Sequence, residues 1–370
     1  LERKNKPKES ENRDRKPLSA QVKSHSEKKP EKKPEFDGNA ETMISTGSTL
    51  LDLAISGRRI HGGGIPGGIM VEIFGPSGCG KTVLLSEIAG ATQRQGGEIM
   101  FRDPEGRLNK QFAKLLDLDV DVIEYDTPDK VPQVFKSIRE WEPKTKNHIH
   151  GIFADSLAAL STDLEMENEE GDKMGMRRAK EFSEECRKTC RILTQKNYLL
   201  VCSNQVRQSN ETYGPKYKSP GGEAIGFYSS LRLRCNAPQK VKKKKTIKGK
   251  EVSRVVGVEV TVEVFKSSVW KPYREADVYI LFDYGIDDVR ANLQFMKKYG
   301  PKTKVQDDKG EEKDYTGYSL NGDKLGPGID DAIAVIEEDG REQELKEAVI
   351  ETWTELEEKF HTARKPKRRI

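Results

Sequence analysis

The sequence predicts an α/β protein whose mostly parallel central sheet is covered by helices on both faces. Three observations carry that expectation. Short, almost continuously apolar runs recur between residues 69 and 203, the pattern of strands buried on both faces. Amphipathic stretches of helical spacing separate several of them, and strand–helix alternation argues for parallel pairing. The octapeptide Gly75-Pro76-Ser77-Gly78-Cys79-Gly80-Lys81-Thr82 fits G-x-x-x-x-G-K-[ST], a phosphate-binding loop that requires a strand before it and a helix after it.

Residues 1–40 are rich in Lys, Glu, Pro and Ser and have no periodic apolar face. They cannot bury enough surface to offset ordering entropy and are expected to form a disordered, basic tail. Order is expected from about Thr42-Met43-Ile44. Ile69–Phe74 reads as a buried strand ending in glycine, and Thr82–Gln95 as a helix with Leu84, Leu85, Ile88 and Ala91 inward. Glu98–Arg102, Val120–Tyr125, Ile149–Ala154 and Tyr198–Ser203 read as further buried strands. Residues 229–235 and 254–265 read as additional strands, with the lysine-rich stretch between them as a hairpin tip. After Gly285 the character changes to charged helices. In the last of these Leu345, Val349, Trp353, Leu356 and Phe360 recur as one apolar stripe. The expected organisation is a tail at 1–40, a core at 41–285 and a small C-terminal domain at 286–370.

Charge is segregated along this frame. The chain has 65 Lys/Arg and 61 Asp/Glu, and the first 40 residues alone hold twelve basic and eight acidic side chains, which accounts for the whole +4. Residues 240–250 hold seven lysines, the last ten residues hold five Lys/Arg, and residues 286–360 balance at −9. Basic blocks of this kind point to anionic partners. No run approaches a membrane-spanning length, and residues 1–40 hold no apolar run of the kind a secretory leader needs. Five scattered cysteines (Cys79, Cys186, Cys190, Cys202, Cys235) give no disulfide framework and fit a reducing compartment. Cys186 and Cys190 are four apart, but no second His or Cys pair completes a zinc site.

Within the octapeptide, glycines let backbone N–H groups curl around phosphate oxygens, and the helix N-terminus faces the anion. Lys81 adds a point charge at the β/γ-phosphates, and Thr82 offers a hydroxyl to Mg²⁺. Asp155 ends an apolar strand where it can reach the same Mg²⁺ shell. Arg102-Asp103-Pro104-Glu105-Gly106 follows another strand. A carboxylate there can orient a water beside the γ-phosphate, although on residue type alone a solvated loop acid is the simpler reading. Asn204-Gln205 closes the strand at 198–203. Val206–Pro220 then carries Arg207, Lys216 and Lys218 beside Tyr213 and Tyr217. Basic groups interleaved with aromatics suit single-stranded nucleic acid, and a solvated surface loop is the alternative. Glu165–Met176 is a second candidate loop, followed by Arg177 and Arg178.

These residues resemble the RecA recombinases, from about Glu41 to Phe360. Ile44-Ser45-Thr46-Gly47-Ser48 with Leu51-Asp52 is similar to the segment that opens the RecA core, and the phosphate loop follows at family spacing. Asp103-Pro104-Glu105 resembles the segment holding the family's catalytic glutamate, which favours Glu105. Asn109 and Phe112 fall where RecA proteins contact adenine. Asp155-Ser156-Leu157-Ala158-Ala159-Leu160 is similar to the Walker-B run. Gly171–Arg178, with Met174, Gly175, Met176, Arg177 and Arg178, lies where the first DNA loop is expected. Gln205 resembles the γ-phosphate sensor, joined to a second DNA loop at 206–220 (Arg207, Tyr213, Lys216, Tyr217, Lys218) and on to Gly221 and Gly222. Phe227 matches a contact with the neighbouring subunit. Tyr318–Gly326 resembles the small α+β C-terminal domain of bacterial RecA.

The resemblance implies a RecA-type P-loop ATPase that uses ATP and Mg²⁺, forms filaments on single-stranded DNA and exchanges it with a homologous duplex. Lys81, Thr82 and Asp155 would hold the nucleotide and metal, Glu105 would position water, and neighbouring protomers would complete each ATP site. A RecA-fold helicase acting as a ring, and an ATP-binding mediator that does not exchange strands, are the competing readings. Two departures stand out. Bacterial RecA places two lysines two apart to reach the neighbour's ATP; here Lys266 matches the first, but Ser268 replaces the second, with Lys271 as a substitute candidate. Lys266-Ser267-Ser268 is more like the phage UvsX recombinases, and Ala363–Ile370 is basic where bacterial RecA tends to be acidic. A bacterial cytoplasmic protein of phage or plasmid origin is the expectation.

Overall fold

The computed structural model describes residues 42–108, 110–161, 174–208, 217–218, 224–306 and 311–364. Helix α1 (Thr49–Ser56) begins at Ser48, whose hydroxyl accepts the Leu51 N–H and so satisfies one of the free donors of the first turn. Strand β1 (Met70–Gly75) is buried throughout and runs through the glycine-rich loop into α2 (Lys81–Arg94). There follow β2 (Ile99–Arg102), α3 (Lys110–Leu115), β3 (Glu124–Asp126), α4 (Val131–Glu140) and β4 (His150–Ala154). Helix α5 (Met174–Lys196) leads into β5 (Tyr198–Gln205). The two-residue strands β6 (Arg207–Gln208) and β7 (Tyr217–Lys218) pair with each other before the short helix α6 (Ala224–Tyr228). Next come β8 (Leu231–Cys235), β9 (Gln239–Ile247), β10 (Lys250–Ser267), β11 (Glu275–Leu281) and β12 (Gly285–Ile286). The last part holds α7 (Asp288–Tyr299), the hairpins β13 (Lys304–Gln306)–β14 (Glu312–Asp314) and β15 (Tyr318–Leu320)–β16 (Asp323–Gly326), then α8 (Ile329–Glu338) and α9 (Glu342–Lys359).

Ten strands make one sheet in the order β12-β11-β10-β8-β1-β5-β4-β2-β3, with β9 added to β10. The run from β8 to β3 is parallel throughout, whereas β9 to β12 pair antiparallel. Alternate strand residues point to opposite faces, so the sheet has a core on each side. One core packs Val71, Ile73, Leu199 and Val201 against α1 and α2 and continues to Leu293, Leu345 and Val349 of the C-terminal helices. The other packs Met70, Ile152 and Leu200 against Phe135 of α4 and Phe182 and Leu193 of α5. Because β1, β2, β4 and β5 run the same way, their C-terminal ends open on a single edge, the place where such sheets bind ligands.

Four expectations are corrected. Val120–Tyr125 is not a buried strand: only Glu124–Asp126 pairs, at the outer edge of the sheet, and Val122 is 72% exposed. The lysine-rich stretch is not a hairpin tip but strand β9, in register with β10 (Lys244 opposite Ser253, Lys245 opposite Val252). The tip is Lys248-Gly249, both with positive φ (49° and 75°), as a tight two-residue turn demands. Of the expected loop Glu165–Met176, residues 165–173 lie outside the described residues, and the chain is helical from Met174 onward, in keeping with the strong helix formers Met, Arg, Ala, Lys and Glu that dominate the start of the helix. The apolar stripe of α9 ends before Phe360, which lies beyond the helix and is 82% exposed. Among the described residues no helix is long and apolar enough to cross a membrane.

Candidate active site

The loop from Gly75 to Gly80 turns β1 into α2 and depends on glycine at two places. At Gly75 a Cβ would lie 2.5 Å from the Cys235 carbonyl oxygen of neighbouring β8, and at Gly80 φ is +82°. The Lys81 ammonium curls back over this loop and donates to the carbonyls of Gly75 (3.0 Å) and Pro76 (2.8 Å). The Cys79 thiol is buried beneath it. A hydrogen bond from the Cys235 thiol, with the Lys81 ammonium 3.8 Å from the sulfur, holds the Cys79 thiol below the usual thiol range against its burial.

Across the edge, Asp155 follows β4 and accepts two hydroxyls, from Thr82 (2.6 Å) and, through a short hydrogen bond, from Ser203. Burial pushes the Asp155 carboxyl above the ordinary range, and the two hydroxyls partly offset this. A hydroxyl beside a carboxylate is an all-oxygen donor set, which suits a hard divalent cation.

The two acids after β2 separate cleanly. Asp103 is fully buried and accepts the Leu108 N–H (2.8 Å) and the Tyr125 hydroxyl (3.0 Å), so it shapes its own loop. Glu105 instead faces the cleft. One of its oxygens accepts Ser156 Oγ (2.7 Å) and Gln205 Nε2 (3.4 Å), and the other pairs with Arg107 Nε (2.6 Å). Glu105, Lys81, Thr82, Asp155 and Gln205 line one cleft of about 350 Å³, with Phe112 also in its wall.

The remaining expected residues lie elsewhere or outside the described residues. Asn109, Tyr213, Lys216, Gly221 and Gly222 are among the latter. Met174, Gly175, Met176 and Arg177 form the first turn of α5. Arg178 donates to the Leu157 carbonyl (3.4 Å) and lies 5.9 Å over the Phe182 ring. Arg207 opposes Lys218 and Gln208 opposes Tyr217, so the two arms of the candidate loop at 206–220 leave the sheet as a paired stalk. Lys266 is away from the cleft, donating to the carbonyls of Gly226 (2.9 Å) and Phe227 (2.8 Å). Lys271 pairs with Glu357 of α9 at 3.2 Å. Sequence reasoning missed Arg107, Ser156 and Ser203 as partners of the two cleft carboxylates. Their one signal was adjacency to strand ends. It also missed the wall formed by Val258, Ile280 and Phe282, which only the sheet order brings to the phosphate loop.

A parallel sheet whose central strand feeds a glycine-rich phosphate loop, with an acid at the end of a nearby strand, defines a P-loop nucleoside-triphosphatase. A family model for the RecA N-terminal domain matches residues 33–287. The chain is 34% identical over 296 residues to Protein RecA of Synechocystis sp., covering 80% of this chain and 77% of that one. It is 32% identical over 300 residues to Protein RecA of Borrelia hermsii, covering 81% and 78%. The chain belongs to the RecA family. It is therefore an ATP-dependent homologous-recombination protein, a DNA-dependent ATPase coupled to strand exchange.

Proposed function

We propose that the chain polymerises on single-stranded DNA as an open helical filament, with ATP at each protomer boundary, and pairs that strand with a homologous duplex. The observation that carries the catalytic part is Glu105, a cleft carboxylate hydrogen-bonded to Ser156 and to Gln205. In this reading Lys81 and the backbone N–H groups of Gly75–Gly80 bind the β/γ-phosphates of ATP. Phe112 covers the base, with Asn109 assigned beside it by the family pattern. Thr82 and Asp155 would hold Mg²⁺, which when bound would neutralise negative charge on the phosphates. Glu105 accepts a proton from the attacking water as its oxygen bonds to the γ-phosphorus, and the bond to ADP breaks in line. Ser156 and Arg107 fix the rotamer of that carboxylate.

Gln205 is the last residue of β5, and the candidate DNA loop begins one residue later. Contact with the γ-phosphate would hold its side chain, and loss of that contact after hydrolysis would release the loop and the DNA. Residues 174–178 and 206–222 form the DNA-binding surface. Binding is dominated by phosphate contacts, so it is salt-sensitive and nearly independent of sequence. Lys266 acts on the neighbour's nucleotide after leaving its own Gly226 and Phe227 carbonyls. Lys266-Ser267-Ser268 favours a phage- or plasmid-borne protein of the bacterial cytoplasm. Glu105→Gln tests the assignment: nucleotide binding should persist while DNA-stimulated hydrolysis falls by about 100-fold or more. Unchanged turnover would remove Glu105 from the mechanism.

A further inference from the structure

On the face of the sheet opposite the cleft lies a charged row, Glu72, Arg232 and Lys266, of which the mechanism above uses only Lys266. Glu72 of β1 has no exposed surface, yet it carries a carboxylate among strands. It stands opposite Arg232 of β8 in the parallel register, and Arg232 stands opposite Lys266 of β10. Glu72 accepts Asn204 Nδ2 at 2.9 Å with one oxygen and Arg232 Nε at 2.6 Å with the other. The Arg232 guanidinium stacks over the rings of Phe74 (4.5 Å) and Phe265 (5.3 Å). It also fills the space beside Gly226, where a Cβ would lie 2.8 Å from its central carbon.

Through its two partners Glu72 reaches both ends of one segment, Asn204 directly and Gly226 by way of Arg232. Asn204 precedes Gln205, and because strand residues alternate it faces this row while Gln205 faces the cleft. Gly226 and Phe227 belong to α6, where the chain returns to the sheet, and Lys266 holds their carbonyls. A buried carboxylate bonded to two hydrogen-bond donors tolerates little displacement, since moving either leaves a buried charge short of a partner. A shift at the end of β5 is thereby felt at α6.

We propose that Glu72 and Arg232 are positioning residues for the DNA-coupled ATPase, joining the strand end that bears Gln205 to the segment Ala224–Tyr228 and so setting both ends of the intervening DNA loop together. This rests on reading 206–220 as that loop. The pair touches neither nucleotide nor DNA; it acts through Asn204 on one side and Gly226 on the other.

The test measures the ratio of DNA-stimulated to DNA-free ATP hydrolysis in the full chain, with poly(dT) as the probe, and the gain in oligo(dT) affinity on adding ATP. Glu72→Gln keeps an acceptor for Asn204 but removes the charge facing Arg232, and should lower both quantities about tenfold. A purely structural role would lower both hydrolysis rates alike and leave their ratio unchanged, which would overturn the proposal. Arg232→Lys keeps the charge but loses the planar stack and should lower the ratio by about threefold. Should Glu72→Gln not fold, a full wild-type ratio in Arg232→Lys overturns the proposal by itself. Replacing 209–216 with a Gly-Ser linker separates the two readings. If that chain is still stimulated by DNA, the loop assignment fails and the proposal with it. If stimulation is lost there but intact in Glu72→Gln, only the clamp fails.

Discussion

In and beside the strands of the parallel half, three carboxylates are shielded from bulk solvent and shared between partners. Glu72 is held by Asn204 and Arg232, Asp155 by Thr82 and Ser203, and Glu105 by Ser156, Gln205 and Arg107. In the lysine-rich β9 and the turn after it the reverse holds. Lys240, Lys242, Lys243, Lys244, Lys245, Lys248 and Lys250 are all exposed, and their ion pairs, Lys244–Glu251 at 3.0 Å and Lys243–Asp330 at 3.2 Å, are solvated. Exposed pairs of that kind contribute little. Chemistry needs the first arrangement, because a carboxylate in a dry site keeps its geometry and acts at full electrostatic strength. The second arrangement offers a positive field of the kind that attracts a polyanion.

One glycine in each half gives the widest contrast. At Gly75 the space for a side chain is taken by the backbone of β8, so Gly75→Ala must push two strands apart. It should cost about 1–3 kcal/mol of stability and reduce ATP affinity by more than about tenfold, read by denaturant titration and calorimetry. At Gly249 φ is +75° but nothing lies within 4 Å of a Cβ. Gly249→Ala therefore carries only backbone strain, about 1 kcal/mol, with ATP affinity unchanged. Equal effects at the two sites would erase the distinction between the halves.

Burial alone does not mark the active site, and Asp52 shows why. It is buried in α1, accepts Ser45 Oγ (2.5 Å), Thr46 N (2.7 Å) and Thr46 Oγ1 (2.7 Å), and lies outside the cleft. Burial raises its carboxyl from 3.8 to about 6 despite these donors. Since the folded value exceeds the unfolded one, the unfolded chain holds fewer protons between the two, and stability falls as pH rises from about 4 to about 6. The loss attributable to this group is at most about 3 kcal/mol. Asp52→Asn should flatten that part of the stability–pH curve without changing the DNA-stimulated rate at saturating ATP. A profile as steep as the parent's would show that Asp52 does not titrate there.

The site was legible in sequence wherever a local pattern dictates backbone geometry. Gly75–Thr82 specifies its own turn, and β1, β4 and β5 declare burial on both faces through nearly continuous apolar runs. Edge position leaves no such record, which is why Val120–Tyr125 reads as an interior strand although only its end pairs. The lysines of β9 read as a tip because strand character there comes from pairing with β10 rather than from composition. Asp103 and Glu105 are chemically near-equivalent as letters, and only the burial of one and the exposure of the other to the cleft separate them. Arg107, Ser156 and Ser203 come from three different strand ends, so no spacing along the chain brings them together.

The smallest effect is expected from the most heavily charged segment. Changing Lys242, Lys244, Lys245 and Lys248 to Gln should leave hydrolysis at saturating DNA unaltered. If these lysines serve as auxiliary contacts to DNA, the log–log salt dependence of single-strand affinity should become shallower by about 0.7 for each phosphate contact removed. An unaltered slope assigns the hairpin to solvation alone, and a collapse of hydrolysis would place catalysis partly in the antiparallel half.

The central claim is an ATP-gated filament on single-stranded DNA. Electron microscopy of the full chain with circular single-stranded DNA, ATP and Mg²⁺ addresses it directly. Continuous open helical filaments with ATP, and their loss when ADP replaces it, are the predicted result. Closed rings, or isolated protomers in both nucleotides, would contradict it.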